Sequence, residues 1–179
     1  MEEWKKKLKM QRKNKDKFFE QNPRSPIPLK DRRDFDGIDY FPIDSKYRFE
    51  LKFNEHDDKK KIEVEDNQGG FQKYIRWGEF RFSIDGEDIK LQAYKSKQNE
   101  KRLWVLFRDE TNGEKTYAAG RYLDLEPAEY RVDGKWIIDF NEAYNPYCAY
   151  SEDYVCPFIP PENWLEVPVE AGEKDYEED

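Results

Sequence analysis

Apolar and polar positions alternate with two different periods along the chain, which divide it into a helical start and a region of strands. No glycine or proline interrupts residues 1–21, where a sparse apolar stripe predicts a helix. The stripe consists of Trp4, Leu8, Phe18 and Phe19. From Lys46 onward the period is two, which is typical of a half-buried strand. The first such apolar positions are Tyr47, Phe49, Leu51 and Phe53.

Further strands follow at hairpin spacing, separated by turns rich in glycine, asparagine and aspartate. Their apolar residues fall within 62–64, 71–84, 89–93, 103–107, 117–125, 137–138 and 165–169. The apolar positions change parity at Gly78, which predicts a bulge or a sharp bend, and Pro168 predicts that the last strand is an edge strand. These features predict an all-β fold, an antiparallel barrel or barrel-like sandwich of about eight strands with one N-terminal helix.

The chain is long enough for one ordinary domain, and its segments differ in composition. Residues 1–21 are expected to form a basic helix. Residues 22–44 are expected to be an extended connector, because each proline biases the residue before it away from the helical conformation. Residues 45–174 are expected to form a single β domain that includes an ordered loop at 139–164. Residues 175–179 make an acidic tail.

Composition and charge narrow the class of protein. Charged residues make up 40% of the chain and the net charge is −8, whereas aromatic residues make up 16%. Because so many rings can fill a core, we expect a folded domain with an aromatic interior and a highly charged surface.

The basic helix raises the question of a polyanionic partner. The first 17 residues carry eight basic and three acidic side chains. Such a helix can bind nucleic acid or an anionic membrane, but the acidic remainder of the chain would repel both. We therefore expect a solvated helix that contributes little to the core, and neither of these partners. No apolar run is long enough to span a membrane and no secretory signal is present, so a cytoplasmic location is expected.

Several kinds of chemistry are excluded by residue counts and spacing. The single histidine, His56, lies in a polar stretch at 54–58 and is interpreted as a solvated turn residue. No phosphate-binding glycine loop or dinucleotide motif occurs, so we predict no cofactor and no metal. Seven residues separate Cys148 from Cys156, which matches neither zinc nor redox motifs. We expect reduced, buried thiols, and a disulfide, a metal ligand or a nucleophile stay open as alternatives.

Arg121 is an unusual residue for its place in a predicted strand. It shares one face of the strand with Leu123 and Leu125. A buried guanidinium needs a carboxylate or several carbonyls, so we expect Arg121 to point inward and to pair with Asp139 or Glu142. Such a pair is either structural or a planar fork for an anionic ligand.

The loop at 139–163 is long and rich in aromatic residues and prolines, and we expect it to be ordered. Its aspartate and asparagine side chains either stabilise the loop backbone or bind a polar ligand. The candidate ligand-binding residues are Tyr117, Arg121, Asp139, Asn141, Tyr144, Asn145, Tyr150 and Asn163.

Four segments carry motifs that occur in a recognisable order, at 35–42, 107–123, 139–163 and 171–174. The third contains the sequences DFNEAYNP and CPFIPPEN. Together the motifs resemble the prokaryotic family known as domain of unknown function 1684, over roughly residues 12–174. One departure is the Phe158-Ile159 step, where that family more often has Leu-Pro. The resemblance implies a shared fold and a shared site, and it implies no activity.

Three hypotheses about function remain open. We prefer a domain that binds a small polar or anionic ligand at Arg121 and the loop at 139–163, in the mouth of a barrel. The first alternative is an enzyme in which Asp139 or Glu142 is the general base and Arg121 stabilises developing charge. The second is a structural or protein-interaction module whose loop plugs the barrel. The sequence predicts no oligomeric state.

Overall fold

The computed structural model describes residues 1–176, so the last three residues of the predicted acidic tail lie outside the described residues. Helix α1 spans Glu2–Gln21, and a short helix α2 spans Pro127–Tyr130. The strands are β1 (Arg48–Leu51), β2 (Asn54–Glu65), β3 (Phe71–Ile84), β4 (Glu87–Lys95), β5 (Leu103–Phe107), β6 (Arg121–Leu125), β7 (Arg131–Val132) and β8 (Lys135–Asp139).

The strands form two antiparallel sheets. Five strands are ordered β2-β3-β4-β5-β6, and three are ordered β1-β8-β7. The prediction of a mostly β fold with one N-terminal helix is confirmed. No closed barrel is found within residues 1–176, and the two separate sheets are consistent with the sandwich-like alternative. None of the helices in the described part of the chain combines the length and apolar composition needed to cross a bilayer.

The main core takes side chains from both sheets. Phe80, Leu91 and Val105 of the larger sheet are fully buried in one cluster with Ile138 of the smaller sheet. Because alternate side chains of a strand point to opposite faces, the predicted period of two is what brings these residues together.

Gly78 marks the predicted irregularity in β3. The pairing of β3 with β4 shifts its register between Arg76 and Gly78, which confirms the bulge. A Cβ atom at Gly78 would lie 2.6 Å from the carbonyl oxygen of Asn54 and would also collide with the ring of Phe53. Glycine is therefore required at this position, where the backbone of β3 lies very close to the start of its neighbouring strand β2.

Three local predictions were wrong. The strand expected within 117–125 begins only at Arg121, because residues 117–120 form a turn in which the Gly120 N–H donates to the Tyr117 carbonyl at 3.1 Å. Residues 165–169 form no strand, because their backbone bonds to a loop, with the Glu110 N–H donating to the Val167 carbonyl at 3.1 Å. The polar stretch 54–58 is no turn but the irregular start of β2, with a register shift between Glu55 and Lys60. There the Nε2 atom of His56 lies 2.8 Å from Oε1 of Gln92.

Helix α1 packs against the β domain, so the expectation that it contributes little to the core was wrong. Leu8 and Phe19 are only 3% and 1% exposed. The Trp4 indole donates to Asp139 Oδ2 at 2.7 Å, and Lys15 forms an ion pair with Glu173. These residues lie on one side of the helix, at spacings of four, seven and four. The apolar stripe is sparse because polar residues share the docked face.

Candidate functional site

A cavity of about 240 Å³ lies between α1 and the end of the β domain. The helix contributes one wall, including Leu8, Gln11, Arg12 and Lys15. The opposite wall comes from β6, from the segment 139–144, and from the side chains of Tyr40, Tyr130 and Glu173. Helix docking thus forms one side of a partly open cavity with both polar and apolar walls, and three tyrosine rings border it.

Asp139 is held rigidly at the end of β8. Its Oδ1 atom accepts hydrogen bonds from the backbone N–H and the Nδ2 atom of Asn141, at 3.0 and 2.8 Å, which caps the 3-10 turn Phe140–Glu142. Its Oδ2 atom accepts from Trp4. The side chain of Asn141 makes two hydrogen bonds with the backbone of Asp44, each 2.9 Å long. Its Oδ1 atom accepts from the Asp44 N–H, and its Nδ2 atom donates to the Asp44 carbonyl. Three donors therefore satisfy the Asp139 carboxylate before any ligand arrives.

Glu142 follows Asp139 by three residues and lines the same cavity. Burial raises the pKa of the Glu142 carboxyl, and the negative charge of Asp139 raises it further. Hydrogen bonds with Tyr130 and Gln11 and the charge of Lys7 oppose this shift only in part. A carboxyl group with a raised pKa in a cavity is a frequent mark of a functional site.

The cations of α1 are engaged by the β domain. The guanidinium of Arg12 donates to the carbonyls of Phe41 and Asn141 at 3.1 and 3.2 Å and lies 4.3 Å from the centre of the Tyr40 ring. Its Nε atom is buried and has no hydrogen-bond partner within residues 1–176. Lys15 lies 5.1 Å from the centre of the Tyr144 ring. Arg12 lines the cavity, and its buried Nε atom has unused hydrogen-bonding capacity.

Glu173 connects the cavity to the aromatic loop. One carboxylate oxygen pairs with Lys15, and the other accepts from the Asn145 backbone N–H at 2.8 Å and from the Tyr150 hydroxyl at 3.0 Å. Glu173 is 1% exposed. A buried carboxylate with these donors fixes the chain's C-terminal segment against α1.

The structure divides the predicted site residues into three groups. Asp139, Asn141 and Tyr144 line the cavity, and the Tyr144 hydroxyl donates to Asp124 Oδ2 at 3.0 Å. Asn145 and Tyr150 lie behind it, joined to it through Glu173. Tyr117, Arg121 and Asn163 do not line the cavity.

Arg121 points inward as predicted, but the expected partners were wrong. Its guanidinium pairs with Asp109 Oδ2 at 3.0 Å, not with Asp139 or Glu142. It also donates to the carbonyls of Ala171, of Val169 at 2.8 Å and of Glu173 at 3.1 Å. Both partners of the pair have fully buried side chains. Both terminal nitrogens of the guanidinium therefore already bond to groups of the protein itself.

Asn163 and Tyr117 make other contacts. The amide of Asn163 accepts from the Gln92 N–H at 2.8 Å and donates to the carbonyls of Gln92 and Leu106 at 3.0 and 2.7 Å, so it joins the loop to β4 and β5. The Tyr117 hydroxyl lies 3.7 Å from the Sγ atom of Cys148.

Sequence reasoning missed the helix side of the cavity. Gln11, Arg12 and Lys15 were treated as part of a solvated surface. The available signal was their spacing from Leu8, which places them on or beside its side of the helix. Within residues 1–176, no three or more His, Cys, Asp or Glu side chains are arranged to hold a metal ion.

Cys148 and Cys156 are both free thiols, as predicted. Cys156 is buried as expected, whereas Cys148 is only half-buried. The backbone N–H of Cys148 donates to the Sγ atom of Cys156 at 3.4 Å. The hydrogen bond between the two thiols lowers the pKa of Cys148 to about 7 and raises that of Cys156.

We expect Cys148 to be the faster thiol in alkylation by iodoacetamide. The thiolate is the nucleophile, so the rate should rise with pH through a midpoint of about 7. The pH dependence of the rate, followed by mass spectrometry of the native protein, measures this midpoint. Cys156→Ala should raise it toward the value of an ordinary cysteine, about 8.5. A midpoint already near that value in the unmodified protein, or faster reaction at Cys156, would contradict the assignment.

The chain was compared with known proteins. A family model described as "Protein of unknown function (DUF1684)" matches residues 33–174. The solution NMR structure of an uncharacterized protein from Haloarcula marismortui is 40% identical, with a TM-score of 0.73, and the match covers 97% of this chain and 95% of that one. A search among curated proteins found no match. The match over most of the chain confirms the resemblance, and the protein belongs to the DUF1684 family.

Proposed function

We propose that the cavity beneath α1 binds a small, neutral polar molecule such as a polyol or an amide. The observation that carries the proposal is that Glu142 and Arg12, whose Nε atom has no hydrogen-bond partner within residues 1–176, line the same partly open cavity. Burial raises the pKa of the Glu142 carboxyl there, and Arg12 Nε is buried without a partner within the described residues. A ligand with both a donor and an acceptor would satisfy both groups.

The charges around the cavity disfavour the anionic ligand considered from the sequence. Two cations, Arg12 and Lys15, face four carboxylates, those of Asp124, Asp139, Glu142 and Glu173. Lys15 is already paired with Glu173. An added anion would meet an excess of negative charge in a partly desolvated space.

The size of the cavity limits the ligand to a small molecule, about the size of a monosaccharide or smaller. Its volume of about 240 Å³ lies below the range of pockets for drug-sized ligands, roughly 300–1,000 Å³. The tyrosine rings of its wall suit the apolar edge of such a molecule.

Replacing Glu142 with methionine should weaken binding by about tenfold, because one hydrogen bond to a buried carboxyl is lost while the side-chain volume is kept. The measurement is a thermal-shift screen of polyols, monosaccharides and primary amides, followed by titration calorimetry on the best binder. Glu129→Met, an exposed position on α2 outside the cavity, is the matched control and should bind as the unmodified chain does. If no compound binds, or if Glu142→Met binds equally well, the proposal is wrong and the plugged structural module is the better account.

A second candidate function is acid–base catalysis on the same bound molecule. The raised pKa of Glu142 next to the charge of Asp139 favours it, since a carboxyl that holds its proton longer can act as a general acid or base. Incubation of the best binder with the protein, followed by mass spectrometry of the small molecule, distinguishes turnover from binding alone. Conversion that Glu142→Met abolishes would favour the enzyme.

A further inference from the structure

A second cavity, of about 410 Å³, opens between the two sheets and shares no lining residue with the cavity beneath α1. Trp136, near the start of β8, lines this groove, whereas Asp139, at the end of β8, lines the other cavity. The two spaces therefore lie toward opposite ends of the same strand.

Aromatic and apolar side chains make most of the groove's wall. They are Phe53, Trp77, Leu103, Pro127 and Trp136. The rings of Phe53 and Trp136 meet edge to face with their centres 6.3 Å apart. Trp136 is 7% exposed and Trp77 is half-buried, so the wall is packed into the core at one side and reaches solvent at the other. Such a wall suits a flat apolar ligand.

Three cations surround the same groove. Lys95, Lys101 and Arg131 line it, and none of them forms an ion pair with a carboxylate within residues 1–176. The one carboxylate in the lining, that of Glu55, is paired with Lys59 at 2.8 Å. In a chain with a net charge of −8, three cations without such partners around one groove make a local positive potential.

Lys95 is the best placed of the three. Its Nζ atom lies 3.9 Å from the centre of the Trp77 ring, and Lys59 lies 4.8 Å from that centre. Burial lowers the pKa of Lys95, and the charges of Glu55 and Glu100 offset this shift only in part, because neither carboxylate forms an ion pair with Lys95. An anion at this position would restore the missing charge partner.

We propose that the groove between the sheets binds a small aromatic anion, with the ring system against Trp77 and Trp136 and the acidic group at Lys95, Lys101 and Arg131. The site is separate from the cavity beneath α1. It prefers an anionic ligand, whereas the cavity beneath α1 prefers a neutral one. The recognition chemistry is a planar apolar body joined to a carboxylate or a sulfonate.

The test uses 2-naphthoate as the probe and 2-naphthamide as its uncharged counterpart, with binding followed by tryptophan fluorescence and titration calorimetry on the full chain. The naphthoate should bind at least about tenfold more tightly than the amide, since a charge-assisted contact is worth more than a neutral one. Equal affinities, or no saturable binding of the naphthoate, would overturn the proposal.

Paired substitutions locate the anion. Lys95→Met with Lys101→Met should weaken naphthoate binding at least about tenfold and leave naphthamide binding unchanged. Because Lys95 packs on Trp77, Lys101→Met with Arg131→Met provides a second variant at exposed positions that does not disturb this packing. Lys30→Met with Lys90→Met, both exposed and outside the groove, is the matched control and should bind both probes normally. Unchanged naphthoate affinity in either groove variant would rule out this site.

Discussion

Replacing Arg121 with methionine should lower the free energy of unfolding by about 3–5 kcal/mol, as is typical when one partner of a buried ion pair is removed. The substitution leaves the buried Asp109 carboxylate without its cation. It also deprives the carbonyls of Val169, Ala171 and Glu173 of a donor. Urea unfolding of both proteins measures the difference.

A double-mutant cycle separates the ion pair from the other contacts. Arg121→Met combined with Asp109→Asn should cost less than the sum of the two single changes, because the neutral amide leaves no buried charge behind. Lys115→Met is the matched control, since it removes one partner of the exposed Lys115–Glu170 pair and should cost less than about 1 kcal/mol. If Arg121→Met lowered the free energy of unfolding by no more than the Lys115→Met control does, the guanidinium would not be the buried anchor described above.

Replacing Phe19 with alanine should lower the free energy of unfolding by about 3–5 kcal/mol, the usual range for a buried phenylalanine. The side chain is 1% exposed, and its ring meets the Tyr150 ring edge to face at 5.1 Å. The space vacated by the Phe19 ring would weaken the packing of α1 against the connector and against the aromatic loop. Thermal and urea unfolding measure the loss.

Met10 provides the control for Phe19, because it lies on the same helix with 58% of its surface exposed. Met10→Ala should change the free energy of unfolding by no more than about 0.5 kcal/mol. If Phe19→Ala were equally mild, the helix would be solvated, as the sequence alone suggested, and the cavity beneath it would have no fixed wall.

The strands could be predicted because their signal is local. Alternating polarity in 46–53 and 71–84 reports directly which side chains face a core, and the change of parity at Gly78 reports the bulge. Residues 165–169 show the same alternation without forming a strand. Their inward side chains are buried, but their backbone bonds to the loop after β5, and periodicity cannot distinguish these two cases.

The partner of Arg121 illustrates a pairing that depends on tertiary contacts. Asp109 follows Phe107 by two residues, and Phe107 lies opposite Arg121 across the β5–β6 pair. Parity alone would therefore have suggested Asp109 once the register was known. Without the register, the carboxylates of the aromatic loop were equally reasonable partners. Register between strands depends on contacts that are distant in the chain.

The candidate site was predicted on one side only. Asp139, Asn141 and Tyr144 were identified because they lie in a long loop that is rich in aromatic rings and also carries short polar side chains. The opposite wall depends on where α1 docks, and a helix with a sparse apolar stripe gives little sign of docking. Its polar contacts with the β domain, such as those of Trp4 and Arg12, become visible only in the folded structure.

The most direct test of the cavity beneath α1 is a nitrogen-15 NMR titration of the full chain, beginning with glycerol and propionamide and continuing with the best binder. The side-chain amides of Gln11 and Asn141 belong to residues that line the cavity, and the indole N–H of Trp4 is bonded to the lining residue Asp139. We expect their signals to shift together with one dissociation constant, while the indole of Trp164, bonded to Ile159 at 2.9 Å and remote from the cavity, stays in place. Shifts confined to other parts of the chain, or no saturable shift at these three residues, would contradict binding beneath α1.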